Sequence, residues 1–319
     1  MPRSAHPVKI FFVLLAIFFA LAPLSATVPG GDPKLEQELR RDVEFLSDTL
    51  CAGRRTGTSG SSEAAFFIVR RLVSLGYSVE IQAFTTEDGR VGHNIVAYFA
   101  GSGGTAPKAS LSQNILLAGG VSSSGTKAAG RKPVLLMTYY DGMGHIGERF
   151  YPGADSNASG VAALLSIAES LRGRHDLVFA FTDAHNANMA GAAQLAAALA
   201  RVPLRMVVNF DILGSTLAPP HSYWKDYLIV LGGAAYRRSL ADAGALHLYF
   251  DYYGSRSFTD LFYRRISDHK FFLNRGVPVL MFTSGITMQT NREGDVAATL
   301  DYPIFAKRVM QIRSWLESL

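Results

Sequence analysis

Three short apolar runs, at 133–139, 177–181 and 206–210, constrain this chain more than any other feature. Each has the length of a strand and is apolar almost throughout. A strand wetted on one face alternates apolar and polar residues, so runs like these must be covered on both faces. Segments of helical periodicity lie after the first two, at 161–171 and 189–199. Buried strands alternating with helices predict an α/β fold with a helical layer on each side of the sheet. Runs at 227–231 and 277–282 add core strands, and 305–316 reads as a closing amphipathic helix.

The first third has a different texture. Residues 33–50 read as an amphipathic helix with Leu35, Leu39, Val43 and Leu46 on one face. Residues 53–60 are rich in turn formers, and 61–75 read as a second helix ending at Gly76. Strands are expected at 77–84 and 93–99, joined by a turn around Asp88–Gly89. From 101 to 132 the chain is rich in Gly, Ser, Ala and Thr and reads as a flexible surface insertion. Its one apolar stretch, 115–118, is read as a short strand. No repeat of 20 to 50 residues is present. The expected organisation is a signal segment at 1–26 and a single domain at 27–319.

The signal reading rests on Arg3 and Lys9, the unbroken apolar run at 10–22, the break at Pro23 and the small residues Ser25, Ala26 and Thr27. That run is shorter than the about 20 residues a membrane-spanning helix needs. Secreted or periplasmic export follows, with an uncleaved signal anchor as the alternative. No span is expected in the mature chain. The formal charge of +5 includes Arg3 and Lys9. With no dense Lys/Arg face, nucleic acid is excluded as a partner. The single cysteine, Cys51, precludes an internal disulfide and reads as an inert, buried thiol.

In open α/β sheets, function gathers beyond the carboxyl ends of strands. Here those ends read Tyr139–Tyr140–Asp141, Thr182–Asp183–Ala184–His185–Asn186 and Asp211. The loops Gly153–Ala154–Asp155–Ser156–Asn157 and Ser267–Asp268–His269 each open a helix. Residue types alone give a pocket of Asp, His, Ser, Asn and Tyr without Glu, which points to no single reaction.

Longer motifs are more specific. Leu46–Ser47–Asp48 with Gly53–Arg54–Arg55–Thr56–Gly57–Thr58, then His93–Asn94–Ile95–Val96–Ala97, resemble two early motifs of the M28 zinc aminopeptidases, a group that includes glutaminyl cyclases. Gly153–Ala154–Asp155 with Asn157–Ala158–Ser159–Gly160–Val161–Ala162 resembles the zinc loop and following helix of that family. Asn209–Phe210–Asp211 and Ser267–Asp268–His269 resemble two later motifs. The resemblance runs from about Leu46 to the C-terminus. It implies a three-layer αβα fold with a mixed, mostly parallel central sheet.

It also implies a site that this chain has altered. Members hold two zinc ions with five side chains and use a Glu as general base, so that hydroxide is available near neutral pH. At the first His position stands Tyr139, with Asp141 as the orienting acid. The metal-bridging Asp is replaced by Ser156. The base and the adjacent ligand fall on His185 and Asn186. Asp211 is the one ligand kept. The last His falls at Asn291, with Gln289 as the other candidate. Ser156 and Asn186 are neutral and bind zinc poorly, and a tyrosine ionises only near pH 10.

The sequence therefore predicts a secreted, catalytically degenerate M28-type protein. No metal or cofactor is expected, and a cleft is expected to bind a peptide or protein. Its expected lining is Tyr139, Asp141, Asp155, Ser156, His185, Asn186, Asp211, Asp268 and Asn291. The alternative is an active metal-dependent aminopeptidase with a non-standard site, in which zinc would be the cofactor. A third reading is a metal-free enzyme using Asp211 and Asp268 as a pair that shares a proton. A serine hydrolase is excluded for want of Gly-x-Ser-x-Gly. The sequon Asn157–Ala158–Ser159 coincides with the helix-opening motif and carries no glycosylation reading. The aromatic stretch Tyr252, Tyr253, Phe258, Phe262 and Tyr263 reads as core packing or the wall of a peptide groove.

Overall fold

A computed structural model describes residues 31–99, 110–118, 131–216, 224 and 226–319. The expected signal segment at 1–26 and most of the expected insertion at 101–132 lie outside the described residues.

Helix α1 (Pro33–Ser47) opens behind Asp32, whose carboxylate accepts the main-chain N–H groups of Lys34 and Leu35, both at 3.1 Å. An acidic cap followed by proline is a strong helix start. The helix ends at Ser47, short of the expected 50. Asp48 turns extended, and its carboxylate accepts Leu50 N at 2.8 Å to start a separate 3₁₀ turn, Thr49–Arg54. Helix α2 (Ser59–Ser74) begins ahead of residue 61 because Thr58 caps it. Strands β1 (Ser78–Thr85) and β2 (Val91–Tyr98) form an antiparallel hairpin.

The stretch 115–118 is helical, not a strand; it belongs to α3 (Leu111–Ala118). The Gln113 side chain accepts Ser110 N at 3.0 Å, half of a capping box that sets this helix going. Then follow β3 (Val134–Tyr139), a small hairpin of β4 (Gly144–Ile146) and β5 (Arg149–Tyr151), and an irregular helical segment, Ala154–Ser159. The remaining α-helices and strands are α4 (Gly160–Ser170), β6 (Leu177–Thr182), α5 (Ala190–Ala198), β7 (Met206–Phe210), β8 (Tyr227–Leu231), α6 (Arg237–Asp242), β9 (His247–Phe250), α7 (Arg256–Arg264), α8 (Lys270–Leu273), β10 (Val279–Thr283) and α9 (Tyr302–Glu317).

The main sheet has the order β1-β2-β6-β3-β7-β10-β8-β9. Its centre, β6, β3, β7 and β10, is parallel. Strand β2 joins β6, and β8 joins β10, in antiparallel fashion, so the sheet is mixed. Alternate residues serve opposite layers. Val134 and Leu136 pack with residues of α1, α2, α4 and α9, whereas Leu135 and Met137 pack with residues of α5 and α8. Each such side chain contributes about 1.5–3 kcal/mol on burial. A third cluster joins Tyr227, Ile229, Leu231 and Met281 to Tyr253 and Phe262. Tyr253 and Phe262 of the aromatic stretch are therefore core packing.

Helix α4 is buried from Gly160 through Ala168 and starts directly against β3. A Cβ on Gly160 would lie 2.4 Å from Asn157 Oδ1 and 2.5 Å from Thr138 Oγ1. Only glycine lets the helix approach the strand this closely.

Candidate functional site

The parallel strands β6, β3, β7 and β10 end on one side of the sheet, and the loops beyond them meet there. Tyr139, the last residue of β3, is 3% exposed. Its hydroxyl lies 3.3 Å from Ser156 Oγ. Its ring stacks on that of His185, with centroids 3.8 Å apart and planes 9° from parallel. Burial, then the charge of Asp211, pushes the phenol well above its ordinary value of 10.

Ser156 is held from two directions. Its main-chain N–H donates to Asp295 Oδ2 at 3.0 Å, and its hydroxyl donates to Asn291 Oδ1 at 3.1 Å. Asn291 is an exposed loop residue in the left-handed region, with φ of 58°. Asparagine tolerates that conformation better than most residues.

Beyond β6, the fully buried Asp141 fixes the next turn. Its carboxylate accepts His185 N at 2.8 Å, Asn186 N at 3.0 Å and Asn186 Nδ2 at 3.1 Å. Burial and the nearby Asp183 raise the Asp141 pKa against the pull of His185 and these amides. The turn presents the His185 ring, whose side chain is 19% exposed, with Nδ1 2.7 Å from Asp268 Oδ1. Asp268 is wholly buried, and its other oxygen accepts Thr182 Oγ1 at 2.5 Å. Burial works against charge on the imidazole, but Asp268, Asp211 and Asp141 outweigh it and lift the His185 pKa to about 9. At neutral pH the ring is an imidazolium.

Asp211, just past β7, accepts the Ser267 hydroxyl at 2.7 Å, and Ser267 in turn accepts Asn209 Nδ2 at 2.9 Å. Burial raises its pKa, opposed by His185 and Ser267. Asp211 and Asp268 thus engage different partners, and no hydrogen bond joins them among the described contacts.

Not every expected lining residue faces solvent. Asp141, Asp155 and Asp268 are fully buried, and Tyr139, Ser156 and Asp211 nearly so. Asp155 turns away: one oxygen accepts Gly214 N at 2.8 Å, and its own N–H donates to Asp295 at 2.7 Å. The exposed groups are Asn186 and Asn291, with His185 between buried and exposed. The expected lining is therefore mostly the floor beneath the loops, because these carboxylates find N–H and O–H partners inside the protein.

The sequon is closed, since Asn157 is 0% exposed and its side chain bonds Thr138, Tyr139, Gly160, Phe210 and Ile212. Buried His269 bonds the carbonyl of Tyr263 at 2.6 Å and is pushed down to about 4 by burial. The main-chain N–H of His93 donates to Asp183. Burial pushes the Cys51 thiol up to about 11, away from reactivity.

Sequence reasoning missed Asp295 and placed Thr182, Ser267 and Arg54 only within longer stretches, without a role. Asp295 clamps the Ser156 loop, and Thr182 and Ser267 hold the two acids. Fully buried Arg54 donates to the carbonyls of Tyr140 at 2.8 Å, Pro152 at 2.9 Å and Gly153 at 2.8 Å, and also to Leu46 O. The signal for Arg54 was its place in the Gly53–Thr58 motif, within the turn-rich stretch that joins the first two helices.

The model of peptidase family M28 matches residues 121–308. The chain belongs to that family. Its fold is similar to that of BSAP, a zinc aminopeptidase from Bacillus subtilis, with a TM-score of 0.65, 11% identity, and coverage of 89% of this chain and 94% of that one. A leucine aminopeptidase precursor from Bacteroides thetaiotaomicron gives 0.60 at 15% identity, covering 90% and 97%. Glutaminyl cyclase from Porphyromonas gingivalis gives 0.57 at 17%, covering 90% and 98%. No curated protein sequence matches the chain significantly.

The residues at this site do not fit the two-zinc centre that the family implies. Of the donors, Tyr139 is a neutral phenol, Ser156 a neutral hydroxyl, and Asn186 and Asn291 are carboxamides. Asp211 alone is a strong oxygen ligand, and a catalytic zinc needs three protein ligands and a water. Among the described residues, no group of three or more His, Cys, Asp or Glu side chains is arranged to hold a metal ion.

Proposed function

We propose that this chain is a catalytically degenerate member of peptidase family M28, exported by its N-terminal segment, that binds a peptide or protein without cleaving it. One observation carries the reading. The side chain at the general-base position is an imidazole, His185, whose Nδ1 lies 2.7 Å from Oδ1 of the wholly buried Asp268, and the aspartates around it lift its pKa to about 9. A general base needs a free lone pair near neutral pH, and an imidazolium has none. The polar groups left at the surface, on His185, Asn186 and Asn291, can hydrogen-bond a peptide. The aminopeptidase names of the structural relatives favour peptide ends as the ligand class.

The test is hydrolysis of a panel of aminoacyl p-nitroanilides by the full chain, with added zinc and with chelator. No turnover above background is expected in either condition. Turnover that chelator abolishes would restore the metal-dependent aminopeptidase, the reading that retained Asp211 favours. Turnover that resists chelator but is lost in Asp211→Asn or Asp268→Asn would establish the metal-free enzyme instead.

A further inference from the structure

The side chains at the altered positions do more than fail to bind metal. Two chains of contact run through them. The first links the end of β3 to two loops: Tyr139 hydroxyl to Ser156, Ser156 hydroxyl to Asn291, and Ser156 N to Asp295. The second links the end of β6 to the segment before α8: Thr182 to Asp268, Asp268 to His185, and Asp141 to the amides of the His185 turn. The parallel rings of Tyr139 and His185 join the two chains. Ser267, next to Asp268 in sequence, adds the end of β7 through Asp211. Six separate loops or strand ends meet in one connected set.

A bound metal pair with ligands on separate loops ties those loops together. We propose that in this chain the same tying is done by side chains alone, as a metal-independent cross-link of Tyr139, Ser156, Asn291, His185, Asp268 and Asp211. The inference rests on the degenerate-site reading and assigns those residues a positive structural role. Tyr139, Ser156 and Asn291 at ligand positions, and His185 at the base position, each contact a neighbour in the set directly. A hydroxyl and a carboxamide pair across the Ser156–Asn291 gap, and the His185 ring bonds Asp268 at 2.7 Å. The cross-link keeps the loops ordered where an acid-lined cavity without metal would repel itself apart.

Thermal unfolding and amide hydrogen exchange of the full chain test this. Excess zinc or chelator should move the wild-type Tm by less than about 1 °C, because a group that binds only the folded state must raise it. His185→Phe keeps a ring against Tyr139 but strands buried Asp268, and should lower the Tm by about 5–10 °C. Adding Asp268→Asn should recover more than half of that loss, because the uncompensated charge is gone. Asn291→Ala, at the exposed end of the network, should leave the chain folded and speed amide exchange at 287–293 and at Ser156. If His185→Phe is too unstable to purify, the Asn291→Ala exchange decides. Unchanged Tm and exchange in the variants, with no zinc effect, would overturn the cross-link and leave the degenerate reading standing. A rise of several degrees with zinc would overturn both.

Discussion

His185 lies between two opposed influences: burial, which disfavours its charge, and three aspartates, which favour it. The aspartates win, and the pKa rises from the ordinary 6.5 to about 9. The charged ring is therefore bound more tightly in the folded state. Its contribution, about 3 kcal/mol, is complete below pH 6.5 and is lost as pH rises through about 9. Nitrogen NMR of the ring should find it doubly protonated at pH 7, with the change near pH 9. Urea unfolding should show a loss of stability across the same window that His185→Phe/Asp268→Asn does not share. A ring titrating near 6.5 would mean that the Asp268 contact is not an ion pair. At this scale the sequence was informative wherever a residue ends a buried strand or follows one closely, as Tyr139, His185 and Asp211 do. Spacing along the chain then locates the residue in space. It was silent on Asp295 and gave Thr182 no role, because their importance lies in the partners they reach across 139 and 86 positions.

Among the elements, the central strands were the most legible. A strand buried on both faces has no freedom in its pattern, so β7 and β8 fall where the apolar runs do. Helix ends were less legible, since side-chain caps set them: Asp48 stops α1, Thr58 starts α2, and Gln113 starts the helix at the stretch taken for a strand. Arg54 is the element-level feature that periodicity could not show. Through four main-chain carbonyls it fastens the 3₁₀ turn to α1 at Leu46, to the end of β3 at Tyr140 and to the segment that carries Ser156 at Pro152 and Gly153. Arg54→Met keeps much of the stem and removes the fork, leaving those carbonyls buried without donors. Urea denaturation should register a loss of about 3–5 kcal/mol. A loss below about 1 kcal/mol would mean that water replaces the guanidinium and that the loop is held elsewhere.

Across the whole molecule, architecture and chemistry are set by different features of the sequence. The fold is similar to that of a zinc aminopeptidase at 11% identity and of a leucine aminopeptidase precursor at 15%, because many apolar sequences satisfy the same burial pattern. The site depends on particular atoms, and in the proposed reading those differ: a phenol, a hydroxyl, an imidazole and two carboxamides stand at the positions that the resemblance assigns to metal ligands and a base. Both the proposed loss of catalysis and the proposed cross-link turn on whether the meeting point of Tyr139, Ser156, His185, Asp211 and Asn291 takes a metal. Elemental mass spectrometry of the purified chain, saturated with zinc and then desalted, measures that directly. Less than about one zinc per ten chains is the expected result, from a site offering one strong ligand where three are needed. One or two zinc ions per chain, lost on substitution of Asp211, would contradict it.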